Sequence, residues 1–411
     1  VEVAGNGIPI DEIKSSVKIW DIIEKYYQDE IKLRKSGDVY KGYCPFHKHN
    51  FDTPSFVVWP KTNKWHCFTD GEGGDVIDFL MKKENLEFKE ACKMGADEAG
   101  IAYEIVPPNK EHEAYKDRMD EHSRRYWRNL QQSPEALHYL MNQRKLTQAT
   151  INQFRLGLVP VDEYKVRTDM GGISGRIAFP ILESKDIKYA KCIGMGYRQF
   201  DPKDTGPKYI NDKNRTDDRD PLKGVFIKGE TLYGYPWAHQ TIRKNNFAIV
   251  VEGYIDVISM HQAGLTNTVG CLGTALTEHQ MDTIRKMTRN IILFLDGDKA
   301  GIDNMLKVLP QLFEKDFNVL IMIAENNMDA ADVCLWKNFD GNAIRQYITD
   351  NAKAAMSVVI ERETKAYEQI VIRERLKAVR AVSALIEKIP AAERKVYEDL
   401  LYKRLDIKGG C

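Results

Sequence analysis

Two groups of residues have the types and spacing to do chemistry. The first opens with Cys44-Pro-Phe-His47, two soft donors in a C-x-x-H arrangement, and repeats the interval at Cys67 and Asp70 after 19 intervening residues. Structural zinc takes four such donors tetrahedrally, with short pairs as the usual signature. Cys44, His47, Cys67 and Asp70 are therefore the expected zinc ligands. A carboxylate oxygen can bind zinc at about 2.0–2.2 Å, so Asp70 can stand where a second C-x-x-C pair would put a thiolate. His66 and His49 are the local substitutes if Asp70 points away. The competing reading makes Cys44 and Cys67 small buried residues and nothing more.

The second group is acidic. Glu252 closes "FAIVVEG" and Asp256 follows by four; Asp296 and Asp298 close "NIILFLDGD"; Asp329 and Asp332 follow "NVLIMIAENNM". Carboxylates that converge repel one another without a counter-charge, and hard divalent cations such as Mg²⁺ supply it through oxygen ligands. Each acid could instead cap the helix that follows its strand. Three such sites at successive strand ends favour the metal reading, and "LDGD", two acids about a glycine, favours it most.

The elements around the acids support convergence. From Asn246 the chain alternates buried-type strands with helices: "FAIVVEG", "YIDVISMHQAG", "TNTVGCLG", "TEHQMDTIRKM", "NIILFLDGD", "AGIDNMLKVLPQLF" and "NVLIMIA". Such alternation predicts a parallel sheet covered by helices, and ligands of open α/β sheets bind beyond the carboxyl ends of the strands. Upstream, "DVYKGYC", "SFVVWP" and "KWHCF" read as short strands around the zinc pairs, with Asp75 as N-cap of the helix "VIDFLM". "EIVPPNKEHE" (104–113), with two prolines and mixed charge, reads as a linker. Residues 114–156 read as helical and 157–234 as short strands and loops. In the tail, Ile372, Leu376, Val379, Val382 and Ile386 recur at helical spacing.

Composition narrows the class. The 411 residues are 43% hydrophobic and 29% charged, an ordinary globular balance. No apolar run approaches the roughly 20 residues of a membrane span. Seven cysteines, an odd number, do not suggest a disulfide framework and point to a reducing compartment. Net charge is zero, but residues 247–350 hold 14 acids against 8 Lys/Arg, and residues 171–230 hold 12 Lys/Arg against 9 acids. That distribution suits divalent cations beside a polyanion. No G-x-x-x-x-G-K-[ST] phosphate loop, and so no motor domain, is present.

The motifs together resemble a family. "VVEGYIDV", "GCLGTALTEHQ" and "LFLDGDKAG" are similar to the Toprim domain of bacterial DnaG-type primases. "LGLVP", "GRIAFPI", "GMGYRQF", "PKYIND" and "FIKGETLYGY" follow the order of that family's RNA polymerase core. "ALIEKIPAAERKVYEDLLYKRL" resembles its helical end, and "CPFH", "TPSFVV", "WHCF" and "GGDVIDFLM" its CHC2-type zinc module. The resemblance runs from about residue 10 to 408.

The resemblance implies an α+β multidomain chain: a zinc-ribbon-like module (1–103), the linker (104–113), a mixed α/β basic subdomain (114–245), a Toprim domain with a parallel sheet (246–345) and C-terminal helices (346–411). It implies a DNA-directed RNA polymerase of primase type, making RNA primers on single-stranded DNA by two-metal nucleotidyl transfer. Glu252, Asp296, Asp298 and Asp329 would hold Mg²⁺ or Mn²⁺, with Glu252 also a base, and Asp256 and Asp332 would complete the catalytic cluster. The Asp329-Ala-Ala-Asp332 spacing is one residue wider than the family's acid-x-acid. Arg176, Arg198, Lys208, Tyr209, Asn211 and Lys228 would contact template, RNA–DNA hybrid and NTPs. One structural zinc is implied, in a site where the family has cysteine at the position of Asp70. Trp59, Trp65, Phe56 and Phe68 would offer faces to template bases, with alternation placing at least half in the core. A cytoplasmic setting, in a bacterium or phage-infected cell, and a replicative helicase acting in trans are further expectations. The end of the chain at Cys411 reads as a compact, phage-type primase or a trimmed chain. The rival functions are another Toprim enzyme, topoisomerase-like or nuclease-like, and a catalytically silent replisome protein.

Overall fold

The computed structural model describes residues 3–4, 8–46, 54–86, 88–102, 109–161, 172–183, 187, 190–273, 275–294, 299–365 and 372–405, excepting the side chains at 3–4, 299–305, 365 and 372–378. The chain divides into two compact units, Val1–Asn109 and Lys110–Cys411. Residues 110–113, expected in the linker, instead begin the helix Lys110–Gln131. Glu111 and Glu113 suit its first turn, and Glu113 is ion-paired to Lys116 and Lys191.

The first unit is a five-stranded antiparallel sheet, Arg34–Ser36, Val39–Gly42, Phe56–Trp59, Lys64–Cys67 and Gly73–Gly74, with each strand beside its neighbour in sequence. Successive side chains alternate between faces. Phe56, Val58, Trp65 and Cys67 point into a core with Ile13, Ile19 and Phe79. Phe46, Phe56, Trp65 and Phe79 form an aromatic cluster with ring centroids 5.0–6.3 Å apart. The other face carries the cross-strand row Arg34, Lys41, Val57 and His66, with Trp59 opposite Lys64. Asp75 caps the helix Val76–Lys83 as expected, accepting from the N–H groups of Ile77 and Asp78 while Asp78 accepts from Asp75.

The second unit has two sheets. The smaller is antiparallel, in the order Tyr209–Asn211, Lys191–Arg198, Ile177–Glu183, Gly157–Leu158. The larger runs Thr268–Gly270, Ala248–Val251, Asn290–Phe294, Asn318–Met322, Lys353–Ala354. Its first four strands are parallel as expected; the fifth is antiparallel and lies beyond the expected domain end at residue 345. Strand alternation sorts this sheet between two cores. Ile249, Val251, Phe294 and Met322 pack with the smaller sheet. Ala248, Val250, Ile291, Leu293, Val319 and Ile321 pack with Val359, Ile360, Val382, Ile386 and Leu401 of the C-terminal helices. A strand that is apolar on both faces is what a helix- or sheet-covered parallel sheet requires.

Candidate active site and metal centres

The parallel sheet ends in a cleft of about 380 Å³ that it shares with the antiparallel sheet. Glu252 enters directly after the strand Ala248–Val251. Its carbonyl accepts from the Gly273 N–H at 3.0 Å, closing a turn in which Leu272 and Gly273 both have positive φ, 63° and 69°. A left-handed conformation is costly for a leucine; here it lays the turn after Thr268–Gly270 against Glu252. Asp329 enters from the next parallel element but one as N-cap of the helix Ala330–Trp336, accepting from Asp332 N–H at 2.7 Å. Burial, with Asp332 beside it, raises the Asp329 carboxyl above the usual range.

The opposing wall is cationic. Arg198, Lys208, Tyr209, Asn211 and Lys228, all expected from sequence, line the same cleft as Glu252, Asp256 and Asp329. Arg198 is almost fully buried: its Nε donates to Tyr139 Oη at 2.6 Å, its Nη1 donates to Tyr209 Oη, and its guanidinium lies 4.9 Å over the Tyr209 ring. Burial holds the Lys228 ammonium below its ordinary range and pushes the Tyr209 phenol up to about 12. Both side chains are only partly exposed, and hydrogen bonds and charges act more strongly there than in open water.

Two expectations are corrected and a third is refined. Arg176 does not reach the cleft. It is 1% exposed and ion-paired to Asp204, Nε to Oδ2 at 2.7 Å, with Nη2 donating to Asp204 Oδ1 and Nη1 to the Pro207 carbonyl. A buried guanidinium must be paired, and that requirement fixes the 204–207 loop. Asp332 does not line the cleft; its carboxylate turns back to the Asp329 N–H as the second half of a capping box. Asp256 lines the cleft but both oxygens are taken by backbone, Oδ2 by Gly253 N–H at 2.9 Å and Oδ1 by Ala331 N–H at 3.1 Å. The capping alternative thus holds for Asp256 and Asp332, and Asp329 both caps and faces the cleft. Asp296 and Asp298 lie outside the described residues.

Two cleft residues escaped the sequence reading. Tyr254 donates to Asn211 Oδ1 and stacks on Phe179 at 5.0 Å, tying the sheets together. A Cβ at Gly196 would overlap its ring, so glycine is required there. Arg144 also lines the cleft. It follows the π-helical turn Tyr139–Gln143, a deviation that hydrophobic periodicity does not signal.

In the first unit Cys44, Cys67 and Asp70 place one donor atom each within 4.8 Å of the others. Cys67 leads into a tight turn, with Gly71 N–H donating to its carbonyl at 3.0 Å, and Glu72 N–H donates to Asp70 Oδ1 at 3.1 Å. Two thiols and a carboxylate at this separation fit a tetrahedral zinc. His66 is not in the group: it points to the opposite face, edge-on to Phe68 at 4.8 Å. His47 and His49 lie outside the described residues. Of the four aromatics, Phe56 and Trp65 are core, while Phe68 is 66% exposed and packs edge-on to Trp59.

A ribbon with a Cys-Cys-Asp centre, and a parallel sheet whose strand-end acids face a basic sheet, define a zinc-ribbon protein of the Toprim class. Residues 7–111 match the CHC2 zinc finger family and 249–334 the Toprim-like family. A CHC2 module supports zinc, and a Toprim domain implies a divalent metal. The DNA primase of Clostridium acetobutylicum is 31% identical over 94% of this chain and 66% of its own length; that of Borreliella burgdorferi is 31% identical over 79% and 65%. The zinc-binding and RNA polymerase domains of the Aquifex aeolicus primase are 27% identical, with a TM-score of 0.56 over 97% of each chain. The chain belongs to the family of bacterial DnaG-type DNA primases. It spans about two thirds of the length of those two curated relatives.

Proposed function

We propose that this chain synthesises short RNA primers on single-stranded DNA. The observation that carries the reading is the single cleft in which strand-end acids of the parallel sheet meet Arg144, Arg198, Lys208 and Lys228. Glu252 and Asp329, with Asp296 and Asp298, are the ligands for Mg²⁺ or Mn²⁺. Such a metal would lower the pKa of the attacking 3′-hydroxyl and neutralise charge on the phosphates. Arginines offer paired donors to phosphate oxygens, and lysines offer point charges. Asn211 and Tyr209 contact sugar or base. Asp256 positions rather than ligates, and positioning with electrostatics is most of what phosphoryl chemistry asks of a protein.

The first unit is a template reader that zinc staples through Cys44, Cys67 and Asp70, with His47 as the fourth ligand. Its outer sheet face interleaves Arg34, Lys41 and Lys64 with Trp59, His66 and the neighbouring Phe68, the composition that binds single strands by charge and stacking. The basic subdomain, Toprim domain and C-terminal helices of the second unit form the polymerase core. We further propose that the protein acts in the cytoplasm and meets a replicative helicase in trans.

The test is a primer assay on single-stranded templates of varied sequence, with NTPs and Mg²⁺ or Mn²⁺, run beside Asp296→Ala. Template-dependent RNA products that vanish in the variant are expected. Products of equal yield from the variant would overturn the site; no product from the wild-type chain on any template would overturn the activity.

A further inference from the structure

Tyr139 is 6% exposed, and its phenol oxygen is the meeting point of two guanidiniums. Arg144 Nε donates to it at 3.0 Å and Arg198 Nε at 2.6 Å. Both guanidiniums also lie near its ring, 5.4 and 6.0 Å from the centroid. Among the described residues neither arginine is ion-paired to a carboxylate. Two like charges brought to one oxygen repel each other; the phenol oxygen that accepts from both offsets that repulsion, as does the Asp329 carboxylate that feels Arg144 across the cleft, and an anion joining both guanidiniums would offset it further.

The backbone is shaped to make the contact. At about 3.6 residues per turn, α-helical positions five apart point away from each other. Tyr139–Gln143 is instead a π turn, in which Arg144 N–H donates to the Tyr139 carbonyl at 3.0 Å. The wider turn returns Arg144 above Tyr139. Single π turns of this kind are frequent at functional sites. Arg198 arrives from the end of the strand Lys191–Arg198, and Tyr209 Oη fixes its other arm. Phe200 packs on the Tyr139 ring at 5.7 Å, so the ring is anchored independently of its hydroxyl.

We propose that Tyr139 is a positioning residue whose phenol oxygen locks Arg144 and Arg198 into one two-guanidinium clamp for the triphosphate of the incoming nucleotide. This rests on the nucleotide-binding reading given above. Tyr139 itself touches no phosphate; it removes the freedom that two long side chains would otherwise lose on binding, and it offsets their repulsion before the anion arrives.

The decisive variant is Tyr139→Phe in the full chain, which keeps the ring and removes the acceptor. Binding of a non-hydrolysable NTP in the presence of Mg²⁺ is measured for wild type, Tyr139→Phe, Arg144→Ala, Arg198→Ala, the double arginine variant, and the triple variant, with thermal melts of each. Tyr139→Phe weakens binding about tenfold, raises the KM for NTP more than it lowers kcat, and has no further effect once both arginines are gone. A loss that persists in full in the triple variant would indicate a merely structural role and overturn the clamp, since coupled residues are non-additive. Wild-type binding by Tyr139→Phe beside weakened arginine variants overturns the clamp and leaves the nucleotide reading intact. Wild-type binding by all the arginine variants overturns both.

Discussion

Asp256 Oδ1 accepts a hydrogen bond from the backbone N–H of Ala331, 75 residues further along the chain, at 3.1 Å. Its Oδ2 accepts from Gly253 N–H, so one carboxylate joins the first turn after Glu252 to the first turn after Asp329. The two acids proposed to share a metal are set relative to each other by a third acid. An asparagine can accept only one of these bonds and turns its amide donors on the other N–H. Asp256→Asn should therefore cost about 1–3 kcal/mol of stability, read as a lower melting temperature, with primer synthesis falling in parallel. An unchanged melt with full activity would remove Asp256 from this role.

Glu252→Gln should behave in the opposite sense. It relieves repulsion among the acids and removes a metal ligand, so synthesis should drop by at least about three orders of magnitude while the melting temperature holds or rises. Asp298→Ala, predicted from sequence alone, belongs with it. A variant that primes at the wild-type rate refutes the assignment for that residue.

Arg176 and Asp204 make a separate case, in which charge supports structure. Burial pushes the Asp204 carboxyl up, but the Gly206 N–H and the Arg176 guanidinium outweigh it and hold the carboxyl below its ordinary range. The pair's contribution is therefore present above the usual carboxylate pKa and disappears as pH falls through the depressed one. Asp204→Ala leaves a buried guanidinium unpaired and should cost about 3 kcal/mol at neutral pH, seen by urea melts. Arg176→Met should be far milder, which would not be so if Arg176 gripped template.

His261 supplies a pH dependence. It is buried on the helix Tyr254–Gln262, with Nε2 at 2.9 Å from the Thr268 carbonyl oxygen, and burial pushes it down to about 4. The unfolded chain takes up the proton near 6.5, the folded one only near 4. Stability is thus complete above pH 6.5 and is lost as pH falls towards 4, by about 3 kcal/mol in all. Melting curves across that window should show the loss, and His261→Gln should flatten it; a parallel slope in the variant would assign the acid limb elsewhere.

The proposed zinc centre is tested through Asp70. Asp70→Cys should tighten zinc by about tenfold or more, because thiolate is the softer donor, and Asp70→Ala should loosen it. A chelator competition read by a zinc-sensitive dye separates the three proteins. Equal zinc retention by all three would remove Asp70 from the ligand set.

Much of this protein is legible in the sequence because its signals are local. Strand–helix alternation after Asn246 gave the parallel sheet, and the strand-end positions of Glu252 and Asp329 put both in the cleft, since such sheets open their clefts at the carboxyl ends of the strands. The donor spacing pointed to Cys44, Cys67 and Asp70, which the structure brings within 4.8 Å of one another, because short turns join the donors of a pair and the antiparallel strands between them bring the pairs together. What local pattern could not decide is where a charge points once the chain is packed. Arg176 and Arg198 stand in similar strand contexts, yet one is neutralised by Asp204 and the other faces the cleft, because only the 204–207 loop brings an acid to the first. Asp256 lies among the cleft acids as its strand-end position predicts, but its bond to the Ala331 N–H is visible only in the folded chain. Arg144 reaches the cleft through a π turn that no residue type announces. Sequence determined which elements form and which ends carry charge, through periodicity and turn chemistry. Tertiary structure decided which of those charges are occupied by protein and which remain for a ligand, because that depends on partners tens of residues away.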